Sequence, residues 1–273
     1  MRKKQMTPII AALAVLLVAP TISVAHEFWI EPKTHLLEAG QSLGVELKVG
    51  ENFKGNSFPY LSNRFVSYRL TDATGTRDYK GLEGDQPSMA LDSLNDGMTI
   101  ISYHSTPDRL EYSSKEAWKV FVEYNKYEGN DWAIKAHLKE GLSTTDFDES
   151  YTRYAKALIQ VGEPSDKTGD RSLGQKFEIV ALKNPFLPDT RALPVKVIWN
   201  GAPSPDTQIA IFNKADSGDR STLRTDANGQ ATIPLLPGTR YMLAAVMIER
   251  GTTPESSTWE SHWANLTFST AAK

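Results

Sequence analysis

Five histidines are the residues of this sequence best suited to holding a metal ion, because the chain has no cysteine. They are His26, His35, His104, His137 and His262. No two of them stand close enough in the sequence to form a His-x-x-x-His pair. A thiolate site is therefore excluded, and a transition-metal site would use nitrogen and oxygen ligands.

His26 is the most distinctive candidate, because it follows a small-x-small sequence that ends at Ala25. Cleavage after Ala25 would give His26 a free α-amine beside its imidazole. These two nitrogens can close a chelate ring on one ion, and neither needs a large pKa shift to bind near pH 7. Copper and nickel are the divalent ions that such a site favours. The alternative, an ordinary surface histidine, stays open.

His104 and His262 lie in segments with the alternation of buried strands. His104 shares its parity with Ile100, and His262 shares its parity with Leu266. Each could be a ligand at a strand end or a histidine packed in the core. We predict His26, His104 and His262 as ligands of nickel, cobalt or copper.

No motif predicts a catalytic residue. The acidic residues show no spacing typical of general acid–base pairs, and the sequence contains no nucleophile elbow, P-loop or dinucleotide fingerprint. Arg153 and Lys156 could hold a carboxylate or another anion, or they could form the polar face of a strand. We therefore expect a protein that is not an enzyme.

The first 25 residues have the features of a cleavable export signal. Residues 2–4 are basic, residues 9–19 are apolar, and residues 23–25 form the cleavage sequence. The apolar run is shorter than the roughly 20 residues that cross a bilayer. We expect a periplasmic protein without a membrane span after cleavage.

The net charge argues against a nucleic-acid partner. It is −3 for the whole chain, and losing the three basic residues of the signal would leave −6. Binding to nucleic acid requires a basic face that displaces counterions from phosphates. The hydrophobic content of 40% is that of a globular protein.

Two β-rich regions flank a short helical segment. Period-two alternation of apolar residues predicts strands in residues 26–107 and again after residue 175. Ser113 and Glu116 predict a capped helix, and a second helix is expected to run from the cap residue Asn130 to the stop at Gly141.

The patterns together predict a mainly β fold with two immunoglobulin-like β-sandwich domains. We expect residues 26–165 to form the first, with helices near 113–141, and residues 166–273 to form the second. Residues 151–161 could continue as a helix, but their Tyr and Ile/Val content favours a strand. The polar residues 163–170 are predicted to be a linker or a long loop.

Several short segments match motifs of one known family: residues 26–32 (HEFWIEP), 49–51, 153–158 with 161–162, 182–185 and 259–268. The sequence thereby resembles a family of periplasmic domains associated with nickel uptake and otherwise of unknown function. The resemblance implies an exported β-sandwich protein linked to uptake of nickel or cobalt. It also implies a metal permease or an outer-membrane receptor as partner.

Two further features qualify the resemblance. Residues 225–245 separately resemble a transthyretin-like or carboxypeptidase-regulatory-like β-sandwich, a module that usually carries no catalysis. Where the family resemblance leads us to expect a His-Met pair late in the chain, this sequence has Val246 and Met247.

Three functions remain open from the sequence. The first is a metal-handling protein accessory to nickel or cobalt uptake. The second is a metal-free β-sandwich that binds a protein or a glycan. The third is a copper oxidoreductase that uses His26 as a histidine brace.

Overall fold

The computed structural model describes residues 27–215, 220–253 and 255–272, and over these ranges the protein is mainly β. The predicted export signal and His26 lie outside the described residues. The strands are β1 (Glu27–Pro32), β2 (Leu36–Leu37), β3 (Leu43–Glu51), β4 (Lys54–Phe58), β5 (Phe65–Asp72), β6 (Gly75–Asp78), β7 (Met89–Leu91), β8 (Gly97–Ser105), β9 (Asp108–Tyr112), β10 (Phe147–Val161), β11 (Phe177–Ala181), β12 (Ala192–Trp199), β13 (Ala202–Pro203), β14 (Gln208–Asn213), β15 (Ser221–Arg224), β16 (Gln230–Pro234), β17 (Arg240–Arg250) and β18 (Trp259–Ser269). Two α-helices, α1 (Lys115–Tyr127) and α2 (Asp131–Lys139), and a 3₁₀ turn at Ser62–Arg64 complete the described part.

These strands form three sheets. A central sheet has the order β15-β14-β17-β18-β10-β8-β5-β6, with β2 and β9 also pairing with β10. An N-terminal sheet contains β1, β3, β4 and β7, and a C-terminal sheet contains β11, β12, β13 and β16. The central sheet takes strands from both sides of residue 165. Its middle strand β10 runs parallel to β18 and antiparallel to β8.

The two smaller sheets cover opposite faces of the central sheet, because successive side chains of a strand point to opposite faces. On β10, Ala157 and Ile159 pack in the core beneath the N-terminal sheet. Tyr154 and Leu158 pack in the core beneath the C-terminal sheet. The predicted mainly β fold with sandwich packing is confirmed, and so is the prediction of a strand for residues 151–161.

Lys156 lies on β10 in the core beneath the C-terminal sheet, and only 1% of its side chain is exposed. Its Nζ is 2.8 Å from Oδ1 of Asp170 and 3.8 Å from Oε2 of Glu178. Asp170 also accepts a hydrogen bond from the backbone N–H of Ala181 at 2.9 Å. The polar segment predicted to be a linker or a long loop is therefore anchored to the core at Asp170.

The helical segment is also as predicted, except for its first cap. The N-cap of α1 is Ser114, whose Oγ accepts a hydrogen bond from the N–H of Ala117 at 3.1 Å, so the prediction of Ser113 as the cap was wrong by one residue. Asn130 precedes α2 as expected, but its side chain donates to the carbonyl of Val246 instead of capping the helix. Gly141 follows α2 with a φ of +67°, a left-handed conformation that suits a residue without a Cβ.

The helices pack against one end of the β17–β18 hairpin. Phe121 of α1 and Ala133 of α2 share a core with Ile248 and Trp259. His137 accepts a hydrogen bond from the indole N–H of Trp259 at 3.0 Å. Neither helix of the described ranges has the length and apolar character needed to cross a bilayer.

Candidate metal centre

A pair of carboxylates faces the C-terminal sheet at the end of the β17–β18 hairpin that is joined by the loop of residues 251–258. The register places Glu249 directly opposite Glu260, and Met247 opposite His262. Because residues two apart on a strand share a face, Glu249, Glu260 and His262 point the same way. Like charges directly opposite each other destabilise a sheet unless a cation neutralises them.

The three side chains offer one ligand atom each, and these atoms lie within 4.8 Å of one another. His262 Nε2 is 3.1 Å from Oε1 of Glu249. Lys176 places its Nζ 2.6 Å from the same carboxylate oxygen and 3.1 Å from His262 Nε2. The ammonium thus occupies a position between carboxylate and imidazole that a metal ion could take instead.

The electrostatics leave His262 neutral at pH 7. Burial and the nearby charge of Lys176 lower the pKa of His262 to about 4, against the opposing influence of Glu249. Partial burial would raise the pKa of Glu249, but its hydrogen bond with Lys176 and the charges of Lys176 and His262 hold that pKa below its usual range. A neutral imidazole and an ionised carboxylate are the protonation states that metal binding requires.

One lysine does not neutralise two carboxylates. Lys176 pairs with Glu249, whereas Glu260 forms no ion pair with any residue of the described ranges. Glu260 also lines an open cleft together with Arg109 and Glu255, which leaves the cluster accessible from solvent. The cluster therefore carries a net negative charge on an accessible face.

The sequence matches the family described as "Domain of unknown function (DUF4198)" over residues 23–249, which is most of its length. The chain belongs to the DUF4198 family. The description gives no activity, and nickel uptake does not follow from it. No curated protein matches the sequence.

Two solved structures show weak similarity to this DUF4198 protein. The D0-D1 domain of Intimin shares 14% identity with it, with 90% of this chain and 98% of that chain covered and a TM-score of 0.21. The adhesin InvE of Yersinia pseudotuberculosis shares 14% identity, with 89% and 58% covered and a TM-score of 0.19. TM-scores this low do not indicate a common fold.

The structure brings two of the three predicted metal ligands into one region of the DUF4198 chain. His262 belongs to the cluster, and His104 lies on the other side of Tyr154. The Tyr154 ring centroid is 4.6 Å from that of His104 and 6.1 Å from that of His262. His104 is not a member of the group that could hold an ion. His26 lies outside the described residues.

The two remaining histidines, His35 and His137, are buried and form hydrogen bonds within the fold. Nδ1 of His35 is 2.7 Å from the carbonyl oxygen of Leu158. His137 hydrogen-bonds both Trp259 and the carbonyl of Ser143.

Sequence reasoning missed Glu249, Glu260 and Lys176. Glu260 and His262 stand two residues apart in a strand pattern, which was a usable signal. Glu249 could be added only by fixing the register of the hairpin, and Lys176 reaches the cluster from beside the C-terminal sheet.

Proposed function

We propose that this protein binds a divalent transition-metal ion through Glu249, Glu260 and His262. The observation that carries the proposal is the direct cross-strand pairing of two carboxylates beside a neutral, largely buried imidazole. A bound ion would remove the repulsion between the carboxylates and would take over the place that Lys176 holds now.

The donor set narrows the choice of ion. One imidazole nitrogen and two carboxylate oxygens suit nickel, cobalt, zinc and copper, and the absence of cysteine makes a soft thiolate site impossible. We propose a role in handling nickel or cobalt, which the resemblance to nickel-uptake domains supports. The export-signal pattern of residues 1–25 supports a periplasmic location, with a metal permease or an outer-membrane receptor as partner.

Metal titration of the protein that starts at His26 tests this function. We expect nickel and cobalt to bind with one-to-one stoichiometry by calorimetry. His262→Ala should weaken binding at least tenfold, or by about 1.4 kcal/mol, because it removes the only nitrogen ligand of the cluster. His104→Ala is the matched control, since His104 contacts the same tyrosine but lies outside the cluster. Equal affinities for the wild type and His262→Ala would refute the proposed site.

Lys176→Met provides the converse test. It removes the ammonium that competes for the same position, so we expect metal affinity to rise by about tenfold. Lys196→Met is the control. It removes a positive charge from β12 of the C-terminal sheet, at a position outside the cluster, and should change the metal affinity little. Unchanged affinity in Lys176→Met would show that the ion does not enter between Glu249 and His262.

His26 remains a predicted ligand and has its own test. One extra residue before His26 would convert its amine into an amide, which binds a metal only after losing a proton. If His26 is a ligand, this extension should weaken nickel or copper binding by more than about tenfold, and His26→Ala should do at least as much. Equal affinities in the native-start, extended and His26→Ala proteins would remove His26 from the site. They would also remove the copper histidine-brace alternative.

A further inference from the structure

A second cavity lies between the N-terminal sheet and the central sheet, on the other face from the metal cluster. It encloses about 320 Å³, at the lower end of the range for small-molecule pockets. Its walls are mostly apolar and include Phe28, Leu47, Val49 and Phe65, with the half-exposed Phe58 also lining it.

Arg153 of β10 brings a positive charge into this apolar cavity. Its guanidinium carbon is 4.7 Å from the ring centroid of Tyr151 and 5.5 Å from that of Phe28. The Nε atom is buried and has no hydrogen-bond partner. Burial lowers the pKa of Arg153, against the opposing influence of Tyr151 and Asp108. Within the described ranges, Arg153 forms no ion pair with a carboxylate.

The acidic residue that lines the cavity is already engaged. Asp108 binds Arg64 at 2.6 Å through Oδ2, and its Oδ1 accepts the backbone N–H of Arg109 at 3.0 Å. The charges of Arg64 and Asp108 cancel, so Arg153 leaves the cavity with one net positive charge. A guanidinium that is partly withdrawn from water without an ion-paired carboxylate is destabilised, because the charge loses hydration without gaining a direct partner.

Lys156, three residues further along β10, is a buried cation that is paired with carboxylates of this chain. It faces the opposite core, where Asp170 and Glu178 neutralise it. Arg153 is more exposed than Lys156 and forms no ion pair with an acid of the described ranges, but it adjoins a cavity. Arg153 and Lys156 lie three residues apart on β10 but face opposite cores, so they have separate roles.

We propose that this cavity binds a small organic monocarboxylate with an apolar body. The carboxylate would pair with Arg153, whose planar fork of N–H donors matches that group, and the apolar body would lie against Phe28, Leu47 and Phe65. This site is independent of the metal cluster.

Calorimetry with three probes on the metal-free, native-start protein tests the proposal. Octanoate carries both the charge and the apolar body, octanamide lacks the charge, and acetate lacks the body. We expect saturable one-to-one binding of octanoate, with octanamide and acetate binding at least tenfold more weakly. His262→Ala should bind octanoate as the wild type does, which separates this site from the proposed metal function.

Two arginine variants locate the binding. Arg153→Met should weaken octanoate binding at least tenfold. Arg69→Met, which removes an exposed arginine of β5 that is paired with Asp78 of β6, should leave octanoate binding unchanged. Equal binding of octanoate and octanamide, or full binding by folded Arg153→Met, would overturn the proposal. If Arg153→Met does not fold, the comparison of acid with amide on the wild type decides the question alone.

Discussion

Replacing Lys156 with methionine is expected to lower the free energy of unfolding by about 3–5 kcal/mol. The change leaves Asp170 and Glu178 as carboxylates in a core that excludes water, and both have fully buried side chains. Glu178 keeps its hydrogen bonds to the backbone N–H groups of Leu173 and Gln175, but these do not replace the lost positive charge. Methionine fills a similar volume, so the loss reports the charge and not a cavity.

Chemical denaturation of Lys156→Met and of Arg69→Met measures this effect against a matched control. Arg69 forms an exposed ion pair with Asp78 at 2.7 Å, and such pairs contribute at most about 1 kcal/mol. Adding Asp170→Asn to Lys156→Met should recover part of the loss, because it removes one of the uncompensated charges. Similar destabilisation by Lys156→Met and Arg69→Met would mean that the buried ion pair contributes nothing particular to this fold.

Acid is expected to destabilise this protein through His35. The side chain is only 3% exposed, and its Nδ1–H donates to the carbonyl of Leu158 at 2.7 Å. Burial, together with the charges of Arg240 and Lys214, lowers the pKa of His35 from 6.5 to about 3, against the opposing influence of that hydrogen bond. Between these two pH values the unfolded chain binds a proton that the folded protein does not bind. Stability is therefore lost as the pH falls below about 6.5.

The comparison of wild type with His35→Gln isolates this contribution. Glutamine does not titrate and can still donate a hydrogen bond to Leu158. The free energy of unfolding of His35→Gln should therefore fall less steeply than that of the wild type as the pH is lowered. The difference in slope should accumulate to on the order of 3 kcal/mol between pH 7 and pH 4. Denaturation midpoints measured at each pH would show it, and parallel pH profiles for the two proteins would contradict it.

The β elements could be predicted because their apolar residues alternate over many positions. The alternation in β3 and the Tyr and Ile/Val content of residues 151–161 both correspond to observed strands. The cap of α1 was harder to place, because Ser113 and Ser114 are adjacent and only the backbone conformation distinguishes them. The single-residue error therefore has a local cause.

The candidate site could be predicted only in part. Strand parity correctly put His262 on the face of Leu266 and His104 on the face of Ile100, because parity needs no knowledge of neighbouring strands. Glu249 depends on the register across residues 251–258, and a shift of one residue would send it to the other face. The burial of Lys156 and His35 likewise depends on sheet packing, which a polar sequence pattern does not report.

The placement of β18 has a consequence for how the chain folds. This strand is an interior strand, bonded to β17 on one side and to β10 on the other. Its Ser261 donates a hydrogen bond to Glu149, which lies 112 residues earlier. Contacts between residues so far apart give a high contact order, and folding of such topologies is slow because loop closure precedes any gain from pairing. The pairing of residues 149–157 of β10 with β18 can therefore form only after residues 259–267 have been synthesised.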